Sequence, residues 1–151
     1  MDIKVVATNR KARHEYNILD TYEAGIALQG SEIKSVRAGQ VSLGQAYIKI
    51  DENLQAWLFD AHIAPYEHAN RFNHDPVRPR RLLLHREEIN RLWNNVRQKG
   101  FTIIPLRMYL KQGRAKVEIA SATGKKLYDK RADLARRDAE LEMERAFRIR
   151  D

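Results

Sequence analysis

The chain has 151 residues, no cysteine and a formal net charge of +8. This length suits one core of about 110 to 120 residues plus an appendage. The sequence contains neither a run of about 20 apolar residues that could span a membrane nor the apolar centre of a signal peptide. We therefore expect a soluble, unexported protein without disulfides or a thiolate metal site, which fits a reducing cytoplasm.

Short strands with alternating apolar and polar residues dominate the predicted body. We place them, in chain order, at residues roughly 14–28, 46–50, 54–59, 101–109 and 115–120. The first segment is one strand or a strand pair with a bend at Ala24 and Gly25, and the last two form a hairpin around Gln112 and Gly113. Pro105 cannot donate a ladder hydrogen bond, so it marks an edge or a bulge.

Two short helices interrupt these strands. Ser31 is a suitable N-cap for a helix over residues 32–38, and a glycine ends it. Apolar residues at helical spacing predict a longer helix over about residues 85–98. Two prolines make residues 72–80 a loop. The pattern indicates a small closed or partly closed antiparallel barrel of the oligonucleotide-binding type, and an α+β sandwich fits next best.

The positive charge is concentrated in one part of the sequence. Residues 71–116 carry twelve lysines and arginines against three acids, whereas residues 21–69 carry three against six. Such asymmetry is typical of nucleic-acid binding, because each cation that neutralises a phosphate releases counterions. The alternative is that the charge serves solubility alone. Binding to an anionic membrane explains the charge less well, because the sequence has no amphipathic basic helix.

A basic cluster that ends in Arg80 and Arg81 is followed at once by Leu82, Leu83 and Leu84. RNA recognition favours this mixture, because splayed bases need an apolar surface while the backbone needs positive charge. The plainer interpretation places Leu82 and Leu84 in the core, with Leu83 merely between them. We accept that interpretation for two of the three leucines.

The composition changes at Gly124, which divides the chain into a body of residues 1–123 and a tail of residues 124–151. Sixteen of the 28 tail residues are charged. The tail has good helix propensity but no apolar stripe that could dock on a core. It is either a solvated terminus or a segment that folds on a polyanionic partner. Tyr128, among four cations, could stack on a base or serve in packing.

No pattern in the sequence predicts an enzyme. His62, His68 and His74 are six residues apart, which matches no common zinc pattern. We find no nucleophile elbow, phosphate-binding glycine loop or paired-carboxylate site. We therefore predict no catalytic residue, no metal ligand and no cofactor.

Five segments resemble those of the SsrA-binding protein family, also called small protein B or SmpB. They are NRKARHEY at 9–16, EAGIALQGSEIKS at 23–35, HIAPY at 62–66, DPVRPRRLLL at 75–84 and GKKLYDKR at 124–131. The resemblance implies a mainly β fold, a six-stranded antiparallel barrel of oligonucleotide-binding type with two to three helices, in a bacterial cytoplasmic monomer.

The family resemblance also implies partners. The barrel would bind the tRNA-like domain of tmRNA near its D-loop and deliver it to ribosomes stalled on messages without a stop codon, for trans-translation. Elongation factor Tu and alanyl-tRNA synthetase would act on the same complex. The tail, disordered when free, would become helical in the empty message channel, beside the small-subunit rRNA of the decoding centre.

Candidate RNA-binding residues follow from the resemblance together with the basic cluster. They are Glu23, Lys34, Ser35, Arg37, Arg80, Arg81, Leu83 and Lys116. In the tail the resemblance implicates Gly124, Lys125, Lys126, Tyr128, Asp129, Lys130 and Arg131. Glu23 is unexpected beside RNA, because a carboxylate must accept from a base amino group or a 2′-hydroxyl, or orient a basic neighbour.

Two other functions compete with tmRNA binding. A structural ribosomal or ribosome-assembly protein would have a similar charge and fold. A nucleic-acid-processing enzyme is more distant, because a nuclease needs metal-binding carboxylates that the acid-poor basic segment does not offer.

Overall fold

The computed structural model describes residues 3–66, 73–124, 136–139 and 141–142. Nine strands lie in the described body: β1 (Ile3–Thr8), β2 (Tyr16–Ile26), β3 (Val41–Ser42), β4 (Tyr47–Ile50), β5 (Ala56–Phe59), β6 (His62–Ile63), β7 (Arg80–Leu83), β8 (Thr102–Lys111) and β9 (Arg114–Gly124). Its three helices are α1 (Ala12–Glu15), α2 (Gly30–Arg37) and α3 (Arg86–Lys99).

Six strands close into an antiparallel ring. The order is β8, β4, β5, β7, β2 and β9, and β9 pairs again with β8. Closure satisfies the edges that an open sheet would expose. The six-stranded barrel that the family resemblance implies is therefore confirmed, although β7 was not among the strands placed from the alternation pattern. β1, which was not predicted, adds to the half of β8 that β4 does not cover, and β3 pairs with β6 in a separate sheet.

The two predicted hairpins are present, and their turns have local causes. Gln112 and Gly113 adopt positive φ angles of 53° and 76° between β8 and β9, as a two-residue hairpin turn requires. Between β4 and β5, the Asp51 carboxylate accepts hydrogen bonds from the backbone of Asn53 and Gln55. The pairing of β8 with β9 shifts register just after Pro105, so this proline marks a bulge.

β2 is one continuous strand, and its irregularity lies between Ile18 and Thr21. The predicted bend at Ala24 and Gly25 is instead the point where the strand changes neighbours. Gly25 pairs with both β9 and β7, whereas the residues before it pair with β9 alone.

α2 and α3 agree with the sequence prediction except at one cap, whereas the four-residue α1 was not predicted and overlaps the start of the predicted strand over residues 14–28. α3 ends at Gly100, whose φ of 68° is left-handed. α2 begins two residues early, at Gly30, and Gln29 is its N-cap: the Gln29 amide donates to the Glu32 carboxylate at 2.8 Å. The prediction of Ser31 as N-cap was wrong, because its hydroxyl hydrogen-bonds the His74 ring at 2.8 Å instead.

The main core fills the barrel interior, where Leu58, Met108 and Ile119 are fully buried and Leu92 of α3 joins the same cluster. A second cluster lies where α1 packs near the end of β9 and includes Ile104. Within the described residues, no helix is long and apolar enough to cross a membrane.

Candidate nucleic-acid interface

A groove opens on the outer face of the barrel where β2, β7 and β9 meet. Gly25 pairs with Leu83 on one side and with Lys116 on the other, so the strand register places the three residues side by side. The groove has a volume of about 380 Å³, and its lining also includes Ile33 of α2 and Arg114. We call this surface the Leu83 groove.

The Leu83 groove combines an apolar side chain with two cations. β7 alternates strictly, so Leu82 points inward while Arg81 and Leu83 point outward. Leu83 is 52% exposed although it is a leucine in a central strand. Arg114 and the half-buried Lys116 lie beside it. This combination suits an unpaired base or ribose next to its phosphate.

Gly25 forms the floor of the groove. A Cβ atom at this position would lie 3.3 Å from the Cβ of Leu83, closer than ordinary contact allows. Because Gly25 has no side chain, Leu83 can pack over β2, and backbone atoms form the bottom of the groove.

Glu23 lies on the same face of β2, two residues before Gly25. Tyr109 donates its hydroxyl hydrogen to the Glu23 carboxylate, and the Lys111 ammonium lies 3.4 Å from the same oxygen. The Tyr109 hydrogen bond is the main reason why the pKa of Glu23 is lowered, with Lys111 and Lys116 adding to it. Burial and the Glu23 carboxylate raise the pKa of Tyr109. The pair is therefore an ionised carboxylate and a neutral phenol.

Lys111 is therefore a basic neighbour that Glu23 can orient, and orienting such a neighbour is one of the roles that the sequence suggests for Glu23. Its side chain is still 40% exposed, so the carboxylate also remains accessible to a ligand.

The candidate residues of α2 divide between surface and interior. Lys34 and Arg37 are exposed, and the Lys34 ammonium lies 5.4 Å from the centre of the Tyr66 ring. Ser35 is fully buried, and its hydroxyl has no hydrogen-bond partner among the described residues. Ser35 therefore cannot contact RNA directly in this structure, because the helix turns it inward beside Val36.

Arg80 is also internal, which corrects its selection as an RNA contact. It is fully buried, and its guanidinium bonds Glu32 at 2.7 Å and the carbonyl oxygens of Ala61 and Pro76 at 2.6 and 3.0 Å. Burial lowers the pKa of Arg80. The sequence shows a run of arginines, but strand alternation divides it, with Arg80 inward and Arg81 outward.

Glu32 is the centre of this buried network and accepts from both Arg78 and Arg80. Burial alone would raise the pKa of Glu32, but hydrogen bonds from Arg78, the Gln29 amide and Arg80 outweigh it and lower the pKa. The next residue, Ile33, lines the Leu83 groove. The network therefore fixes α2 against the 75–80 segment and sets one wall of that groove.

One of the three evenly spaced histidines, His74, has a structural role. His74 is buried and satisfied on both ring nitrogens, by Ser31 at 2.8 Å and the Ile63 carbonyl at 2.9 Å. His62 is exposed, and His68 lies outside the described residues. In the part of the chain that the structure describes, no three histidines or acids are grouped so that they could hold a metal ion.

The tail candidates lie almost entirely outside the described residues. Gly124 is the exposed last residue of β9 and pairs with Tyr16. Lys125, Lys126, Tyr128, Asp129, Lys130 and Arg131 are not described. Residues 136–139 and 141–142 are helical and exposed, which agrees with the helix propensity of the sequence.

Sequence reasoning missed Tyr109, Lys111 and Arg114 at this interface. A signal for them existed, because the Gln112-Gly113 turn fixes the β8 to β9 register and places Tyr109 opposite Lys116. The contacts of Tyr109 and Lys111 with Glu23, which is 86 and 88 residues away from them in the chain, have no local signature.

Comparison with known proteins identifies the family of this chain. The family model described as SmpB protein matches residues 6–149. The SsrA-binding protein of Desulforudis audaxviator is 59% identical over 96% of this chain and 94% of its own length. The SsrA-binding protein of Chloroflexus aggregans is 61% identical over 98% of this chain and 94% of its own length.

A solved structure described as "tmRNA-SmpB: a journey to the center of the bacterial ribosome" contains a similar chain. The TM-score is 0.67 at 47% sequence identity, and the alignment covers 82% of this chain and 90% of that one. The family match extends over nearly the whole sequence, and the relatives are similar over almost their full lengths. The chain therefore belongs to the SmpB family of SsrA-binding proteins.

Proposed function

We propose that this protein binds the tRNA-like domain of tmRNA through the Leu83 groove and delivers it to stalled ribosomes for trans-translation. The observation that carries the proposal is the convergence of Gly25, Leu83 and Lys116 on one cation-flanked groove, in a chain that is 59 to 61% identical to named SsrA-binding proteins. The groove and the names point to the same class of ligand.

The groove divides recognition between two kinds of contact. Leu83 offers an apolar surface to an unstacked base or ribose, as the loops of a folded RNA present. Lys116 and Arg114 neutralise phosphates, with Lys34 and Arg37 on the neighbouring helix and Arg81 on β7 as outer cations. Glu23 holds Tyr109 and Lys111 in place and accepts from a 2′-hydroxyl or base amino group.

The tail has a separate role in this proposal. Residues 124–151 form a second unit that probes the empty message channel and contacts small-subunit rRNA near the decoding centre. The tail residues from Lys125 to Arg131 supply cations for rRNA phosphates, and Tyr128 stacks on a base. The protein acts as a cytoplasmic monomer without catalysis, and elongation factor Tu and alanyl-tRNA synthetase act on the complex it forms.

Truncation after Gly124 tests the division between body and tail. This end point keeps the β9 residues that pair with β2, whereas an end at Ala122 would remove two of them. We expect affinity for the tRNA-like domain to change little and to fall steeply with salt, while tagging of stalled nascent chains is lost. Loss of both activities in a truncated protein that melts like the full chain would contradict the division.

Replacement of Lys116 with alanine tests the groove itself. We expect affinity for the tRNA-like domain to fall about fivefold or more, equivalent to ~1 kcal/mol, because a charge-assisted contact is removed. The salt dependence should also become shallower by about one unit. Lys11→Ala is the matched control. Lys11 is an exposed lysine that precedes β2, and Gly25 lies at the other end of that strand.

Unchanged binding by the Lys116 variant would remove the Leu83 groove from the proposal. A protein that sediments with ribosomal subunits in stoichiometric amounts in cells without tmRNA would instead be a structural ribosomal component.

A further inference from the structure

A second concave surface lies at the other end of β8, between α3 and β4. It has a volume of about 330 Å³, and its lining includes Tyr47, Lys49, Trp93, Val96, Phe101 and Thr102. We call it the Trp93 groove. Gly113, just after β8, lines the Leu83 groove, while Thr102 at the start of β8 lines this one. At roughly 3.3 Å per strand residue, the two sites are about 30 Å apart.

Three aromatic rings face the Trp93 groove: Tyr47 of β4, Trp93 of α3 and Phe101, which lies between α3 and β8. Each carries a cation over its ring: Lys49 on Tyr47 at 5.6 Å, Arg97 on Trp93 at 5.0 Å and Lys99 on Phe101 at 5.7 Å. The three rings are half-buried and the three cations are exposed. Tyr47 is further held by a stacked contact with Phe59, at 5.4 Å between ring centres.

Charge complementarity identifies the class of occupant. The residues that line the groove include one lysine and no carboxylate, and the two other cations come from the same helix as Trp93 or from its end. Proteins that bind unpaired nucleotides commonly alternate aromatic rings with cations: the base stacks on a ring, and a neighbouring cation neutralises the phosphate. A volume of 330 Å³ is at the small end for a ligand site, which fits one nucleotide better than a protein helix.

We propose that the Trp93 groove is a second RNA-binding site that holds one unpaired nucleotide. The base stacks on Phe101, beside Trp93, and the displaced Arg97 and Lys99, with Lys49, neutralise the adjoining phosphates. Because the site is about 30 Å from the Leu83 groove, it contacts a different part of the RNA or a different RNA. The inference rests on the proposed function only in taking RNA as the ligand.

Trp93 fluorescence reports on this site alone in a Trp57→Phe background, since the chain has two tryptophans. The full-length variant is titrated with an eight-nucleotide uridine RNA and with an abasic octamer of the same charge. We expect quenching by the uridine RNA and little response to the abasic one, because stacking requires a base. Equal responses to both octamers, or no response to either, would overturn the proposal.

Two variants locate the interaction. Phe101→Leu keeps an apolar side chain but removes the ring, and it should weaken uridine binding at Trp93 about tenfold, the size of one stacking contact. Lys99→Gln changes an exposed side chain and should make the salt dependence of that binding shallower. Lys4→Gln is the charge-matched control, because Lys4 pairs with Leu110 at the far end of β8.

The source of the nucleotide is found by repeating the binding assay with two larger RNAs. A loss of affinity for the tRNA-like domain in Phe101→Leu assigns the groove to tmRNA, and a loss only for small ribosomal subunits assigns it to rRNA. Unchanged affinity for both, in a variant that melts like the wild type, refutes the site. Lys116→Ala, assayed in parallel, reports on the Leu83 groove, so failure of this inference is distinguishable from failure of the proposed function.

Discussion

Glu23 and Glu32 lie nine residues apart and both pair with cations, yet their surroundings differ completely. Glu32 is fully buried and bonds two arginines, whereas the side chain of Glu23 is 40% exposed and bonds Tyr109 and Lys111. Both carboxyl groups have lowered pKa values. A lowered pKa therefore does not by itself distinguish a buried carboxylate from a partly exposed one.

The same contrast applies to the cations on β7. Arg80 supports α2 from the interior, and its neighbour Arg81 faces solvent. We therefore infer that the Glu32 network contributes to stability and the Glu23 network to RNA binding. A variant of Glu32, or of Glu23 or Tyr109, changes one network and leaves the other intact.

The largest expected effect is that of Glu32→Gln on stability. It leaves Arg80 buried without a charge partner, and breaking a buried pair in this way costs about 3 to 5 kcal/mol of the free energy of unfolding. Urea denaturation measures this loss. Glu23→Gln is the matched control and should cost under ~1 kcal/mol, because its carboxylate is partly exposed. Similar losses in the two variants would contradict the contrast.

The pH dependence of unfolding checks the same assignment. A carboxyl group whose pKa is lowered by folding stabilises the protein fully above its unfolded value near 4.5, and this stability is lost as the pH falls through the folded pKa. We expect wild-type stability to fall below about pH 4.5, and the Glu32→Gln variant to show a shallower fall. The same acid dependence in both proteins would assign the loss to other groups.

The adjacent leucines of β7 give the next largest contrast. Leu82→Ala should lower the free energy of unfolding by about 2 to 5 kcal/mol, because it empties a core position. Leu83→Ala should change stability by under ~0.5 kcal/mol. It should nevertheless weaken binding of the tRNA-like domain about tenfold, through lost apolar contact. Leu83→Ala with wild-type RNA affinity would exclude a contact by this side chain.

Much of the fold follows from local sequence signals. Alternation and turn residues predict the β4–β5 and β8–β9 hairpins, and the Leu92 face and Gly100 predict α3. β1 escaped prediction because its run IKVVAT is short and half exposed and is stabilised by pairing with residues 107–111 of β8, far away in the chain. The N-cap of α2 was misplaced because Ser31 has a tertiary partner, His74, that outweighs its capping preference.

The residues of the candidate site also divide into those that the sequence identifies and those that the folded structure reveals. Leu83 and Lys116 could be chosen by the family resemblance, and the structure brings them together around Gly25. Composition does not predict that Arg80 and Ser35 point inward, because a run of basic residues does not show which of its positions in a strand or helix face the core. The partners of Glu23 come from β8, so only the closed barrel reveals them.

Tyr109→Phe produces the smallest expected effect and tests how Glu23 acts. Removing the hydroxyl takes away the hydrogen bond that holds the Glu23 carboxylate, which should cost about 1 kcal/mol of stability. Because folding raises the pKa of Tyr109 above its ordinary value of 10, the wild type should lose this contribution as the pH rises past about 10. The phenylalanine variant should lose less.

If Glu23 must be positioned to meet RNA, Tyr109→Phe and Glu23→Gln should weaken binding of the tRNA-like domain by similar factors, and the double variant should be no worse than either. Additive losses would mean that Tyr109 does not act through Glu23.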